Sequence, residues 1–215
     1  MGRLRIQLFQ TLAVFAPDGT PIDIGSPTAR SLFAWLVLNR HQPIDRRRLA
    51  FIFWPRSSEQ AARRNLRQYL HRLRRTLEPV DPEGTLLLAE GHQVCFQPPE
   101  TWYLDVAAFE TAVSPPHENL ELAIQLYTGD LLEDIYDDWV IPERERLARL
   151  YRQSLLRLID QKEKQHDYTA AITYAEKYLA AEPLLETAHL RLMHLYYALG
   201  DRARVKQQFE QLSET

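Results

Sequence analysis

Residues 57–77 read SSEQAARRNLRQYLHRLRRTL, and this stretch decides the fold. Leu66, Tyr69/Leu70, Leu73 and Leu77 recur every three or four positions, the spacing of one buried stripe on an α-helix. With about 100° between successive residues, Gln60, Arg64, Arg67, Gln68, His71 and Arg75 fall on the opposite side. Arg63 and Arg74 flank the stripe, and Arg72 sits on its other shoulder. A helix with an apolar face and a face of guanidinium and amide groups suits the major groove of duplex DNA. Guanidinium groups pair with phosphates or guanine edges, and amides pair with adenine. A merely solvated helix has the same look, so the rest of the chain must decide.

The charge distribution favours the first reading. The net charge of -3 hides a dipolar chain: residues 1–80 carry 14 arginines, no lysine and five carboxylates, a balance of +9. Residues 81–215 balance to -12. Such asymmetry suggests a polyanion-binding module joined to an acidic module with a different task. The exclusive use of arginine, a rigid donor fork, favours recognition over diffuse attraction. With 215 residues, 45% of them hydrophobic, the chain fits one large or two modest domains. One cysteine, Cys95, excludes an internal disulfide, and no Cys/His spacing resembles a zinc site. There is no signal-peptide core and no membrane-spanning apolar run, so the chain reads as soluble and cytoplasmic, with no membrane partner.

Working outward from residues 57–77, the preceding segment alternates Leu4, Ile6 and Leu8 with Arg3, Arg5 and Gln7, the period of a half-buried strand. Leu12 and Val14 continue it, and Pro17-Asp18-Gly19 turns the chain into residues 21–24, predicting a small antiparallel sheet. Ser26 caps a helix that starts at Pro27 and turns Leu32, Phe33, Leu36 and Val37 inward. Asp45 caps a short second helix with Leu49, Ile52 and Phe53, which ends at Trp54-Pro55. Ser57 or Ser58 caps the third. Residues 85–88, a turn at Glu90-Gly91, and residues 93–96 read as a β-hairpin. A leading sheet, three helices and a hairpin make a winged helix, with the third helix as reader and the second near the DNA backbone. Trp35 and Trp54 read as helix-junction packing. Of the run Arg46, Arg47 and Arg48, at most two can share a surface, and Arg47 and Arg48 are the expected phosphate contacts.

These residues resemble a known family. Residues 28–55, TARSLFAWLVLNRHQPIDRRRLAFIFWP, and residues 58–78, SEQAARRNLRQYLHRLRRTLE, look like the DNA-binding region of the bacterial antibiotic-regulatory-protein activators, the SARP class. The likeness is carried by the tryptophan-terminated second helix, by AxRNLRQxLxRLRRxL from Ala62 to Leu77, and by the hairpin that follows. It implies an OmpR-type winged helix that binds directly repeated promoter sites, two copies side by side, in contact with RNA polymerase. One departure concerns the wing tip, Ala89-Glu90-Gly91-His92. An acidic tip repels phosphate, so the minor-groove contact common in this class is not expected, and His92 reads as a turn residue.

Pro98-Pro99 and the change of character after it place the domain border near residue 100, giving a winged-helix domain over 1–100 and a helical domain over 101–215. Asp105 caps a helix over 106–113, Ser114-Pro115-Pro116 breaks the chain, and residues 120–127 resume it. Pro142 starts a long helix with Leu147, Leu150/Tyr151, Ser154/Leu155 and Leu158 inward. A 34-residue echo follows: Leu158 returns as Leu192, Asp167 as Asp201, Ala171 as Val205 and Ala175 as Phe209. That period looks like tetratricopeptide repeats, with Ile159 and Met193 where a small residue is usual, and needs at least three stacked hairpins. Residues 126–151, LYTGDLLEDIYDDWVIPERERLARLY, resemble the linking segment of the bacterial transcriptional activator domain, which directly follows the winged helix in the SARP class. The fold expected is therefore mainly α with small β-sheets: a winged helix-turn-helix of the OmpR/PhoB type, then an all-α tetratricopeptide-like domain.

Chemistry of other kinds finds little support. Asp130, Glu133, Asp134, Asp137 and Asp138 lack the glycine and terminal glutamate of a calcium loop and read as a solvated acidic segment, or as a surface for a basic partner. His189 and His194 lie about 140° apart around a helix, which does not make a metal face. No Gly-rich phosphate loop and no nucleophile–base pair appears, so neither a cofactor nor an enzyme activity is expected. The expected function is sequence-specific binding of double-stranded DNA by a transcriptional activator. Arg64, Arg67, Gln68, His71 and Arg75 share base and phosphate contacts, while Arg63, Arg47 and Arg48 hold the backbone. The competing reading is a protein-interaction scaffold whose helical hairpins bind a peptide, through residues such as Tyr174 or His189, while the basic half docks on an acidic partner. RNA binding is weaker, because the aromatic residues lie in apolar helical stripes and not on an exposed strand.

Overall fold

In the computed structural model, which describes residues 3–89 and 91–213, the chain is mainly helical with two small sheets. Strand β1 (Leu4–Gln7) buries Leu4 and Ile6, and pairs antiparallel with β2 (Ala13–Phe15), Ile6 facing Val14. Its other edge pairs in parallel with β6 (Trp102–Leu104), Ile6 facing Leu104. The expected sheet therefore differs in its third strand. Pro21, which has no N–H, makes only an isolated bridge to Phe15, and a segment almost a hundred residues away takes the free edge. Parallel pairing requires a long crossover, and three helices with their hairpin form it here.

Helix α1 (Pro27–Leu38) begins where Ser26 Oγ accepts from the Ala29 N–H, and it buries Leu32, Phe33, Leu36 and Val37 together with Ala34 and Trp35. Strand β3 (Ile44–Asp45) leads into α2 (Arg46–Phe53), capped by the Asp45 carboxylate, which accepts from the Arg47 N–H at 2.7 Å and the Arg48 N–H at 3.3 Å. Leu49 is buried in α2, whereas Ile52 and Phe53 are half-buried. Helix α3 (Glu59–Leu77) takes Ser58, not Ser57, as its cap. Its stripe of Ala62, Leu66, Leu70, Leu73 and Leu77 is buried; each leucine contributes about 1.5–3 kcal/mol of hydrophobic stabilisation. Rings close the helix junctions: Trp35 on Phe53 at 6.5 Å and Trp54 on Tyr69 at 5.5 Å.

After α3, β4 (Leu87–Leu88) and β5 (Gln93–Phe96) pair antiparallel, and β3 joins the outer edge of β5. The first strand is shorter than expected because the Thr85 and Leu86 N–H groups donate to the Asp81 carboxylate, each at 2.8 Å, and not to a ladder. Glu90, on which the reading of an acidic tip rests, lies outside the described residues.

The chain divides into two compact units, Met1–Ala108 with Thr128–Arg144, and Phe109–Tyr127 with Glu145–Thr215. The first break of the compact units falls after Ala108, and residues 128–144 return to the first unit. In the first unit, Asp105 does more than cap a helix. It starts α4 (Asp105–Ala112), and its buried carboxylate accepts from Leu8 N–H on both oxygens, from Phe9 N–H and from Val106 N–H. Burial pushes this carboxyl above its ordinary value, while the backbone donors pull the other way.

The acidic segment also departs from expectation, since part of it is internal structure. The Gln10 N–H donates to the Asp130 carbonyl at 2.7 Å, and the Leu132 N–H to the Leu8 carbonyl at 2.9 Å. Arg30 pairs with Asp134 at 2.7 Å, the Ser31 hydroxyl donates to Asp137, and Trp139 Nε1 donates to Ser31 at 3.0 Å. Leu131, Leu132 and Ile135, interleaved with the acids, are buried, and this apolar component brings the carboxylates to α1. A Cβ at Gly129 would meet Gln10 Cγ and Glu133 Oε1 at 2.7 Å, so those side chains would have to shift to admit one.

In the second unit lie α5 (Leu120–Leu126), most of α6 (Val140–Lys164), α7 (Tyr168–Ala181), α8 (Glu186–Ala198) and α9 (Arg202–Ser213). Helix α6 starts two residues before Pro142, which sits in its first turn. Leu155 and Leu158 of α6 pack with Leu120 and Ile124 of α5, and Ile159 packs with Ala171, Ala175, Leu192 and Leu195 from α7 and α8. The 34-residue echo has structural counterparts: Leu158 and Leu192 are both buried, and Asp167 and Asp201 each accept from the N–H three residues on. Phe209 breaks it, being 59% exposed where Ala175 is buried. His189 is a core residue, its ring between the Pro183 carbonyl and the Gln208 amide, and Tyr174 packs between the two clusters. His189 is thus buried, whereas Tyr174 is half-buried.

Candidate nucleic-acid interface

Because α3 is held by its buried stripe, its opposite side is exposed along the full length of the helix. Arg63, Arg64, Arg67, Gln68, His71, Arg72, Arg74 and Arg75 all reach solvent. Among the described residues, Arg64, Arg67 and Arg75 have no carboxylate within ion-pair distance, so their charge is uncompensated locally. Gln68 and His71 lie on the same side between them. Arg72 instead stacks its guanidinium over the Tyr69 ring at 5.6 Å.

The arginines of α2 separate by function. Three successive positions 100° apart cannot share a face. Arg47 and Arg48 are exposed, and Arg46 is half-buried against the hairpin. Arg47 Nε meets Glu59 Oε1 at 2.8 Å, and Arg63 Nη1 approaches the same oxygen at 3.5 Å. The Arg47 guanidinium holds the Glu59 carboxyl below the usual carboxylate range, and Glu59 in turn raises Arg47. Asp45 is likewise held low by the Arg47 and Arg48 N–H groups.

Two side chains that the sequence analysis did not assign as contacts shape this surface. Arg74 donates Nε and Nη2 to the Leu87 carbonyl, at 3.1 and 2.7 Å, fixing the start of the hairpin to α3. Arg46 donates its backbone N–H to the His92 carbonyl and its Nη2 to the Ala89 carbonyl, holding the other side of the turn, while its buried Nε has no partner among the described residues. Between α3 and the hairpin these residues leave a groove of about 380 Å³, lined by Arg46, Arg63, Arg67, His71, Arg74 and His92. His92, read from the sequence as a turn residue, lines it too. The helical period places Arg74 beside the stripe but carries no sign of its carbonyl partner 13 residues on.

Chemically, this is a convex cationic helix beside a cationic groove, suited to an extended polyanion. Among the described residues no cluster of three His, Cys, Asp or Glu side chains could hold a metal ion, and no helix is long and apolar enough to cross a membrane.

Comparison with known proteins gives a consistent picture. The profile of one family, described as the bacterial transcriptional activator domain, matches residues 105–215. The transcriptional regulatory protein EmbR of Mycobacterium tuberculosis is 28% identical over 132 residues, covering 56% of this chain and 34% of EmbR. MoaR1 of the same species, another transcriptional regulatory protein, is 29% identical over 130 residues, covering 54% of this chain and 42% of MoaR1. The regulatory protein AfsR of Streptomyces coelicolor is 25% identical over 198 residues, covering 86% of this chain and 19% of AfsR. The matches thus span between a fifth and two-fifths of the length of these relatives. A solved structure of M. tuberculosis EmbR in complex with a low-affinity phosphopeptide superposes with a TM-score of 0.75 at 22% identity, covering 99% of this chain and 59% of that one.

Proposed function

Because the chain belongs to the bacterial transcriptional activator domain family, in the SARP class of regulators, we propose that it binds double-stranded DNA through a winged helix and activates transcription. The single observation that carries this reading is the exposed face of α3, where Arg64, Arg67, Gln68, His71 and Arg75 stand together with no carboxylate among the described residues neutralising the arginines. In the proposed complex α3 enters the major groove. Arg64, Arg67 and Gln68 are placed to meet base edges or phosphates, with His71 and Arg75 further along the same face. Arg48, Arg47 and Arg63 hold the backbone from the junction of α2 and α3. The hairpin is the wing, held by Arg74 and Arg46. Side-by-side binding on repeated sites and contact with RNA polymerase, both implied by the class, complete the proposal, together with a cytoplasmic location.

The test is selection of bound duplexes from a random library with the full chain, followed by footprinting. Enrichment of a defined sequence is expected, and R64E/R67E should abolish it without changing circular dichroism or melting, since both side chains are exposed. Enrichment that survives the double charge reversal would overturn the assignment of α3.

A further inference from the structure

We propose that Glu59 sets the strength of the DNA interface by competing, within the protein, with a backbone phosphate for Arg47 and Arg63. The inference rests on the DNA-binding reading above and names a residue that weakens, and does not make, the contact.

Arg47 comes from α2 and Arg63 from α3, and their guanidinium groups converge on a single carboxylate oxygen, Glu59 Oε1, at 2.8 and 3.5 Å. A phosphate oxygen presents the same charge and the same acceptor geometry to an arginine fork. The three side chains are 65%, 43% and 57% exposed, so the cluster is open to an incoming ligand. Exposed ion pairs of this kind are individually weak and exchange readily. Asp45, the other carboxylate near Arg47, is already committed to the N–H groups that start α2. The Arg47 guanidinium also lowers the Glu59 carboxyl from its ordinary value. A duplex lying along α3 and α2 must therefore displace this carboxylate, or keep it as a negative charge beside its own phosphates. Phosphate contacts carry no base information. Glu59 thus lowers affinity for all sequences by one factor and leaves base reading unaltered.

The experiment measures binding of the full chain to a random-sequence duplex and to the selected duplex by fluorescence anisotropy, from about 0.05 to 0.2 M salt. Glu59→Gln is isosteric and exposed. It should restore one phosphate contact, making the log–log salt slope steeper by about 0.9 and tightening binding about fivefold at 0.15 M salt, on both duplexes alike. Adding Arg47→Gln should reverse the gain. Glu78→Gln, the same charge change at the far end of α3, should leave the slope unaltered. Binding by E59Q within twofold of the starting protein, weaker binding, or an equal effect of E78Q would overturn the proposal. If R64E/R67E still abolishes binding in that case, the DNA reading stands and Glu59 alone has been misjudged. If no variant, nor the starting protein, binds duplex, both fall.

Discussion

Removing the Asp105 carboxylate should cost the first unit about 3 kcal/mol, three times the loss of an ordinary helix cap of about 1 kcal/mol. The carboxylate accepts from three backbone donors: Leu8 N–H at 3.0 and 2.9 Å to its two oxygens, Phe9 N–H at 3.0 Å and Val106 N–H at 2.7 Å. It is 7% exposed, so Asp105→Ala leaves these donors in a region water reaches poorly. Each stranded N–H costs about 1–3 kcal/mol, or about 3–9 kcal/mol together. Relief from holding a desolvated charge offsets several kcal/mol of that, the same cost that pushes the carboxyl upward in the folded chain. A net loss of about 3 kcal/mol lowers the melting temperature by about 6–12 °C for a chain of this size, against about 2–4 °C for a cap alone. Asp105→Asn should lose more than half as much, because its NH2 group faces an N–H donor. Urea titration followed by circular dichroism gives the total, and hydrogen exchange at the Leu8, Phe9 and Val106 amides localises it. A loss of 1 kcal/mol or less, or an asparagine variant as stable as the starting protein, would refute the reasoning.

Three further outcomes are expected. Arg74→Lys removes the fork on the Leu87 carbonyl; it should cost about 1 kcal/mol in chemical denaturation and weaken duplex binding with little change in salt slope, since no phosphate contact is lost. Asp45 has a lowered folded pKa, so its stabilising effect is complete above the unfolded value of about 3.9 and vanishes as pH falls through the lower folded one; Asp45→Asn, which still caps, should flatten acid unfolding in that window, as melting across pH would show. Cys95 is buried and burial raises its thiol, so a disulfide reagent should modify it only at the rate of unfolding; fast labelling of the native protein would contradict its placement in β5.

What the sequence made legible was local. The period of Leu66, Leu70, Leu73 and Leu77 defines α3, and Ser26 and Asp45 mark helix starts because a side-chain oxygen accepts an N–H two or three residues ahead. Contacts between distant segments left no such mark. The parallel pairing of β1 with β6 has no turn to announce it, and the acids of residues 130–138 look solvated unless Leu131, Leu132 and Ile135 are seen to be buried. Asp105 carries the signature of a cap, which hid its bonds to Leu8 and Phe9 nearly a hundred residues away. The basic residues of the candidate interface were readable as charges on a helical face. Their inequality was not: the Glu59 pairing with Arg47, the Arg74 fork on Leu87 and the half-buried Arg46 depend on how α2, α3 and the hairpin meet.

The central claim is that the free side of α3 holds duplex DNA through its arginines, and salt dependence tests it most directly. If Arg48, Arg64, Arg67 and Arg75 meet phosphates, together with whichever of Arg47 and Arg63 Glu59 leaves free, log affinity for a random duplex should fall with log salt at a slope of about -4.5, and R64E/R67E should flatten that slope by about 2 or more while abolishing selection of a preferred sequence. A slope near zero, or one that R64E/R67E leaves untouched, would contradict it.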